Sequence, residues 1–177
     1  LSNTNSSEEY IIFAVDPGTI VTGYALVKLG KNDFIPIDFG CIRPPKNGVL
    51  SSRYHVIFQS LCHLIRIHRP TEMAIETPFI HKNPQSALKL GSALGCALIA
   101  AKEHNLSIFG YSPREVKQGI TGLGGASKED VGRVLCAAFH LPLPIARKDA
   151  SDALSIAVHH GRCRALANSG IHKLKEL

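Results

Sequence analysis

Residues 11–18 read Ile-Ile-Phe-Ala-Val-Asp-Pro-Gly, five apolar residues followed by an acid and two turn formers. An apolar run of that length without polar alternation is a strand buried on both faces, and Pro17-Gly18 ends it. Asp16 therefore sits at a strand end. The same signature returns at Met73-Ala74-Ile75-Glu76, a second buried run closed by a carboxylate. Between the two, residues 22–29 and 33–43 carry aromatic and β-branched residues on either side of Gly30-Lys31-Asn32, the pattern of a hairpin. Val56, Ile57, Leu61, Leu64, Ile65 and His68 repeat at helical spacing over 51–68, and Arg69-Pro70 stops that helix.

Toward the C-terminus the spacing of Ala87, Leu90, Leu94, Leu98 and Ala101 predicts a helix over 84–104, in which Gly91 and Gly95 would let a partner helix approach closely. A short strand over 107–111 follows. Ser112, Pro113 and Glu115 then supply an N-cap, a first-turn proline and a capping-box acid, and Ser127 with Asp130 marks the start of another helix reaching about His140. Pro142 and Pro144 separate it from a last helix that begins near Asp149 and runs through Ala153, Ile156, Ala157 and His160. Three strands, helix, strand, helix, strand and then helices describe an α/β domain with a mixed sheet and helices on both faces.

The chain has 177 residues, 45% of them hydrophobic and 19% charged, enough for one sizeable core and short for two. Its 20 Lys and Arg against 14 Asp and Glu leave a net charge of +6, which suits a polyanionic partner but equally a solubilising surface. Cys41, Cys62, Cys96, Cys136 and Cys163 are odd in number and form no C-x-x-C pair, so no disulfide framework or zinc ribbon is indicated and a reducing cytoplasm fits. His159, His160 and Cys163 lack a complete soft-metal ligand set. The polar first ten residues, LSNTNSSEEY, read as a disordered tail and not as a signal peptide. No stretch nears the ~18 uninterrupted apolar residues of a membrane span.

In open α/β sheets ligands gather outside the carboxyl ends of the strands, so Asp16 and Glu76 are candidates for one site. Asp149 and Asp152 are spaced i, i+3 at the head of an otherwise apolar helix face, which points both inward. Taken singly, Asp16 can be a turn residue and Asp149 an acid favoured by the helix dipole. Together, clustered carboxylates repel unless a cation holds them, and all-oxygen ligation favours Mg²⁺ or Mn²⁺. Two such ions activate a water and neutralise a leaving oxygen in phosphodiester hydrolysis. Lys82, Lys89 and Arg114, with Arg133, Arg147 and Lys148, extend a candidate phosphate-contacting surface. Phe79 after a strand end offers a stacking face to an unpaired base, although Phe is more often buried.

The segments VDPGTIVTGYALV (15–27), GCIRPP (40–45), AIETPFIHKNPQSALKLG (74–91), YSPREVKQGITGLGGASKEDV (111–131) and DASDALSIAVHH (149–160) resemble the RuvC family of Holliday-junction resolvases. The likeness runs in order from about residue 11 to residue 163. It implies an RNase H-like five-stranded sheet, so a nuclease domain is expected over 10–164, between the polar tail over 1–9 and a basic tail over 165–177 that lacks apolar periodicity. It also implies a homodimer making paired symmetric nicks in a four-way DNA junction, with two Mg²⁺ in each active site and Mn²⁺ able to substitute. On the family's pattern Asp16, Glu76, Asp149 and Asp152 match its metal-binding acids, Lys117 and Lys128 its lysines for catalysis and DNA contact, and Phe79 its aromatic against unpaired bases. RuvA and RuvB branch-migration proteins are the partners it implies. Leu94 and Asp130 depart from the pattern, standing where the family usually carries arginine and glutamine. Rival readings are a junction-holding protein that does not cut, and an actin-like ATPase, since DPGTIVTG resembles a phosphate loop. The length opposes the ATPase, which needs two such domains. A YqgF-type nuclease acting on RNA would share the fold without the FIHKNPQSALKLG segment.

Overall fold

The computed structural model describes residues 10–30, 33–77, 83–139 and 148–177. Phe79, Lys82, Arg147 and the tail over 1–9 lie outside them, as do the side chains of Lys148 and Asp149. The elements follow the order β1 (Ile11–Asp16), β2 (Thr22–Leu29), β3 (Phe34–Ile42), α1 (Leu50–His68), β4 (Glu72–Glu76), α2 (Pro84–Glu103), β5 (Ser107–Tyr111), α3 (Pro113–Thr121), α4 (Lys128–Phe139) and α5 (Lys148–Asn168). The sheet runs β3-β2-β1-β4-β5, antiparallel across the first two pairings and parallel across the last two. It is the expected mixed sheet. Because β2 runs against both neighbours, the carboxyl ends of β1, β3, β4 and β5 all lie along one edge. Pairing of Val15 with Ile75 brings the next residues, Asp16 and Glu76, side by side at that edge.

Alternation along the strands divides the core into two layers. Phe13, Val15, Leu26, Met73 and Ile75 pack against Ile57, Leu61 and Ile65 of α1 and Ala93, Ala97 and Ala100 of α2. Ile12, Ala14, Ala25, Val27 and Ala74 face α3, α4 and α5 through Val116, Ile120, Leu135, Ala153, Ile156 and Ala157. Alanines on both the sheet and α5 let that helix lie close across β1 and β2. Asp16 and Glu76 belong to the same face as Ala14 and Ala74, the face α5 covers.

The caps form as their residue types require. Ser112 and Glu115 satisfy each other's backbone N–H groups, and Ser127 with Asp130 does the same through contacts of 2.7 to 3.2 Å. Asn83 caps α2 by accepting from the N–H groups of Gln85 and Ser86 at 3.0 and 3.3 Å. Helix α5 continues beyond His160 to Asn168, into the span read as a basic tail. Two arginines tie that extension down: Arg162 donates to the carbonyls of Gly119 and Ile120 at the end of α3, and Arg164 pairs with the buried Glu72. The last residues turn back onto the edge of the sheet, where the Leu177 N–H donates to the Ile108 carbonyl at 2.9 Å and Glu176 pairs with Lys102 at 3.2 Å.

Candidate active site

Asp16 leaves β1 into a turn that a buried hydroxyl holds shut. Thr22, fully buried, donates through Oγ1 to the Gly18 carbonyl at 2.7 Å and accepts from the Gly18 N–H at 3.3 Å. The Val21 carbonyl occupies the space a Cβ at residue 18 would need, so only glycine fits there. The strand end is thus a rigid mount for its carboxylate. Beside it, Glu76 is half-buried, and its carboxyl is raised above the usual range, first by burial and then by Asp152. Lys128 and Lys117 offset part of that rise.

Asp152 comes from α5, laid over these strand ends by its alanine face. Its Oδ2 accepts from Lys128 Nζ at 2.6 Å. Lys128 is the first residue of α4, where the Ser127–Asp130 box sets the helix start. The bond to Asp152 is the chief reason that its ammonium is held above its ordinary pKa. These groups surround a pocket of about 220 Å³: Asp16, Glu76 and Asp152 with Lys117 and Lys128, the rest of the lining being Pro113, Val116, Val131 and Ser155. Asp16, Glu76, Asp152, Lys117 and Lys128, all singled out from the sequence, therefore meet in one place.

The others divide by location. Asp149 is the second residue of α5, three before Asp152, but its side chain lies outside the described residues, with Phe79 and Lys82. Lys89 is exposed on α2, on the opposite side of the sheet from the pocket, and its carbonyl accepts from Tyr54. Arg114 is exposed in the first turn of α3 and passes Gly124 of the following loop without reaching the pocket lining. Ser155 was missed. It stands at i+3 from Asp152, so the spacing that singled out Asp149 and Asp152 would have found it if carried one turn further.

Residues 12–160 match the family of crossover junction endodeoxyribonucleases, RuvC. The chain belongs to the RuvC family. It is 40% identical over 163 residues to the RuvC of Protochlamydia amoebophila, covering 92% of this chain and 97% of that one. To the RuvC of Legionella pneumophila it is 43% identical over 164 residues, covering 93% and 91%. The structure of T. thermophilus RuvC in complex with a Holliday junction substrate superposes with a TM-score of 0.85 at 27% identity, over 95% of this chain and 99% of that one. As a RuvC-family protein the chain has the RNase H-like fold and is a phosphodiester hydrolase with metal-dependent catalysis.

The two departures from the RuvC pattern have structural accounts. Leu94 packs half-buried against the α1–α2 core layer, and Asp130 is the carboxylate of the box that starts α4. The pocket's donors also fit the metal a RuvC-family nuclease needs: carboxylate oxygens, with no thiolate or imidazole among the lining. Among the described residues no three such side chains stand close enough to form a complete cage, and Asp152 is engaged by Lys128 instead.

Proposed function

We propose that this chain resolves four-way (Holliday) DNA junctions by paired symmetric hydrolysis of phosphodiester bonds, in homologous recombination and DNA repair. The observation that carries the reading is the meeting of Asp16, Glu76 and Asp152 under Lys117 and Lys128 in one pocket of a RuvC-family chain. The likeness to a RuvC bound to a Holliday junction substrate supports the choice of DNA.

In this reading Asp16, Glu76, Asp149 and Asp152 hold Mg²⁺, two ions per site, with Mn²⁺ able to replace them. Bound there, such ions supply an activated water and charge neutralisation at the leaving oxygen. Lys117 and Lys128, at the rim, steer the scissile phosphate into a pocket whose carboxylates would otherwise repel it. Pro113, Val116 and Val131 limit water around the carboxylates. Phe79, three residues beyond Glu76, stacks on an unpaired base at the junction centre, while Lys82, Lys89 and Arg114 contact phosphates away from the cut. Paired cuts need two copies of the site, hence a homodimer. Helix α2 offers a surface for it, with Leu88 and Ile99 exposed on either side of Gly91 and Gly95, above which there is open space. RuvA and RuvB homologues are the proposed branch-migration partners, and the cytoplasm the proposed setting. No helix among the described residues is long and apolar enough to cross a membrane.

The test is cleavage of a labelled four-way junction beside a linear duplex of the same sequence, with Mg²⁺. Nicks are expected in the junction alone. Asp16→Asn should lower the rate at least about 100-fold, the scale of losing several kcal/mol of charge stabilisation, while a gel shift shows the junction still bound. Wild-type cleavage by that variant overturns the role given to Asp16. Equal cutting of the duplex overturns junction selectivity.

A further inference from the structure

Lys128 Nζ stands on Asp152 Oδ2, inside the group of acids that the metal reading assigns to the ion. The bond occupies Asp152 Oδ2 at 2.6 Å, so a divalent ion that draws on that carboxylate competes with the ammonium for its charge and its lone pairs. We propose that Lys128 is the resident counter-ion of the pocket before metal arrives, and that the incoming ion displaces its ammonium from Asp152 and frees it for the DNA. This rests on the reading of the pocket as the metal site.

Three observations carry it. First, the ammonium serves the whole cluster, since besides its bond to Asp152 it is attracted by Asp16 and Glu76. Carboxylates gathered at a sheet edge need such a charge to keep from repelling one another. Second, Lys128 can leave without rebuilding anything. Its side chain is 65% exposed, it stands at the first position of α4, and the capping contacts of that helix are made by Ser127 and Asp130. Third, Lys117 lines the same pocket, so positive charge remains at the rim after Lys128 has moved. A monovalent and a divalent cation within a few ångströms of each other repel strongly in so small a space, and the exchange needs no proton transfer. The lysine therefore acts twice: as a brace for the acids without metal, and as a phosphate ligand once metal has released it.

Competition predicts that deleting the ammonium tightens metal binding even as it harms cleavage. Calorimetric titration of Mn²⁺ into the DNA-free full-length protein is expected to give a Kd about 5- to 50-fold lower for Lys128→Met than for wild type, the range a unit charge a few ångströms from a divalent ion produces when water screens the open pocket. Lys175→Met, which removes one positive charge from an exposed position in the C-terminal segment, should leave the Kd unchanged. In the wild-type protein, the ¹H–¹⁵N signal of the Lys128 ammonium should be observable without metal, protected by its bond, and should be lost to solvent exchange on adding Mg²⁺. That second measurement does not depend on the folding of any variant. A Kd for Lys128→Met equal to or weaker than that of wild type overturns the displacement, as does an ammonium signal that survives saturating Mg²⁺. If wild type and Lys128→Met both fail to bind Mn²⁺, the metal reading of the pocket falls and the displacement falls with it.

Discussion

His159 shows how a single buried side chain couples this fold to pH. It is 9% exposed, its ring meets the edge of Tyr111, and among the described residues its Nδ1 has no hydrogen-bond partner. Burial lowers its pKa from the ordinary 6.5 to about 4. Between those values the unfolded chain takes up a proton that the folded chain refuses. Stability is therefore lost as pH falls from about 6.5 to about 4, and His159 takes no more below that. The shift corresponds to a loss on the order of 3 kcal/mol. Urea unfolding of wild type and His159→Phe at several pH values isolates it, because the other titrating groups are common to both. The variant should gain on wild type steadily across that window. A constant difference would mean that His159 is not the group responsible.

Helix α5 carries Asp152 to the strand ends, and its own position is set against α3. Gly119 of α3 lies under the His159 ring, and a methyl there would overlap Nδ1 of a side chain that is already wedged against Tyr111. Gly119→Ala should cost about 1–3 kcal/mol in urea unfolding. Gly132→Ala on α4, where nothing lies within 4 Å, should be neutral or gain up to about 1 kcal/mol as a helix-interior alanine. Equal effects would remove packing against His159 as the cause. The same helix marks the limit of what the residues disclose. Asp16 and Glu76 are legible because each closes a run of buried apolar residues, and an acid at such a strand end stands out without any knowledge of the fold. The far end of α5 is not legible. Residues 153–161 are all buried, packed between the sheet and two other helices, so no polar face marks the helix or its end. What prolongs it is Glu72, a charge at the start of β4 that is met by His160 and Arg164 from the other end of the chain. Burial raises the Glu72 carboxyl, but the hydrogen bonds from His160 and Arg164 outweigh it and hold the group below the usual carboxylate range. Pairings of such long sequence separation leave no local pattern, and the bond from Lys128 to Asp152 was hidden for the same reason.

At the scale of the whole molecule, a chain that contributes one set of these acids makes the two symmetric cuts proposed above only as a pair, and α2 is where the surface invites the second copy. Leu88, Ser92, Gly95 and Ile99 recur at helical spacing, with Leu88 and Ile99 73% and 58% exposed. Large apolar residues flanking glycines suit a helix–helix crossing in which the backbones come close and the flanking side chains close over them. The inner face of α2 is already committed to α1 and the sheet through Ala93, Ala97 and Ala100, so a change on the outer face can be made without touching the core. Gly95→Glu, which places a charge in the open space above that residue, should therefore convert the proposed dimer to a monomer in analytical ultracentrifugation while the melting temperature changes by no more than about 3 °C. With a four-way junction as substrate, the monomer should leave singly nicked junctions to accumulate where the dimer yields resolved duplexes, since the two cuts are no longer made within one complex. A Gly95→Glu protein that still sediments as a dimer moves the interface off α2. A wild-type protein that sediments as a monomer but still yields resolved duplexes would show that paired cutting is assembled on the DNA instead of being built into the free protein.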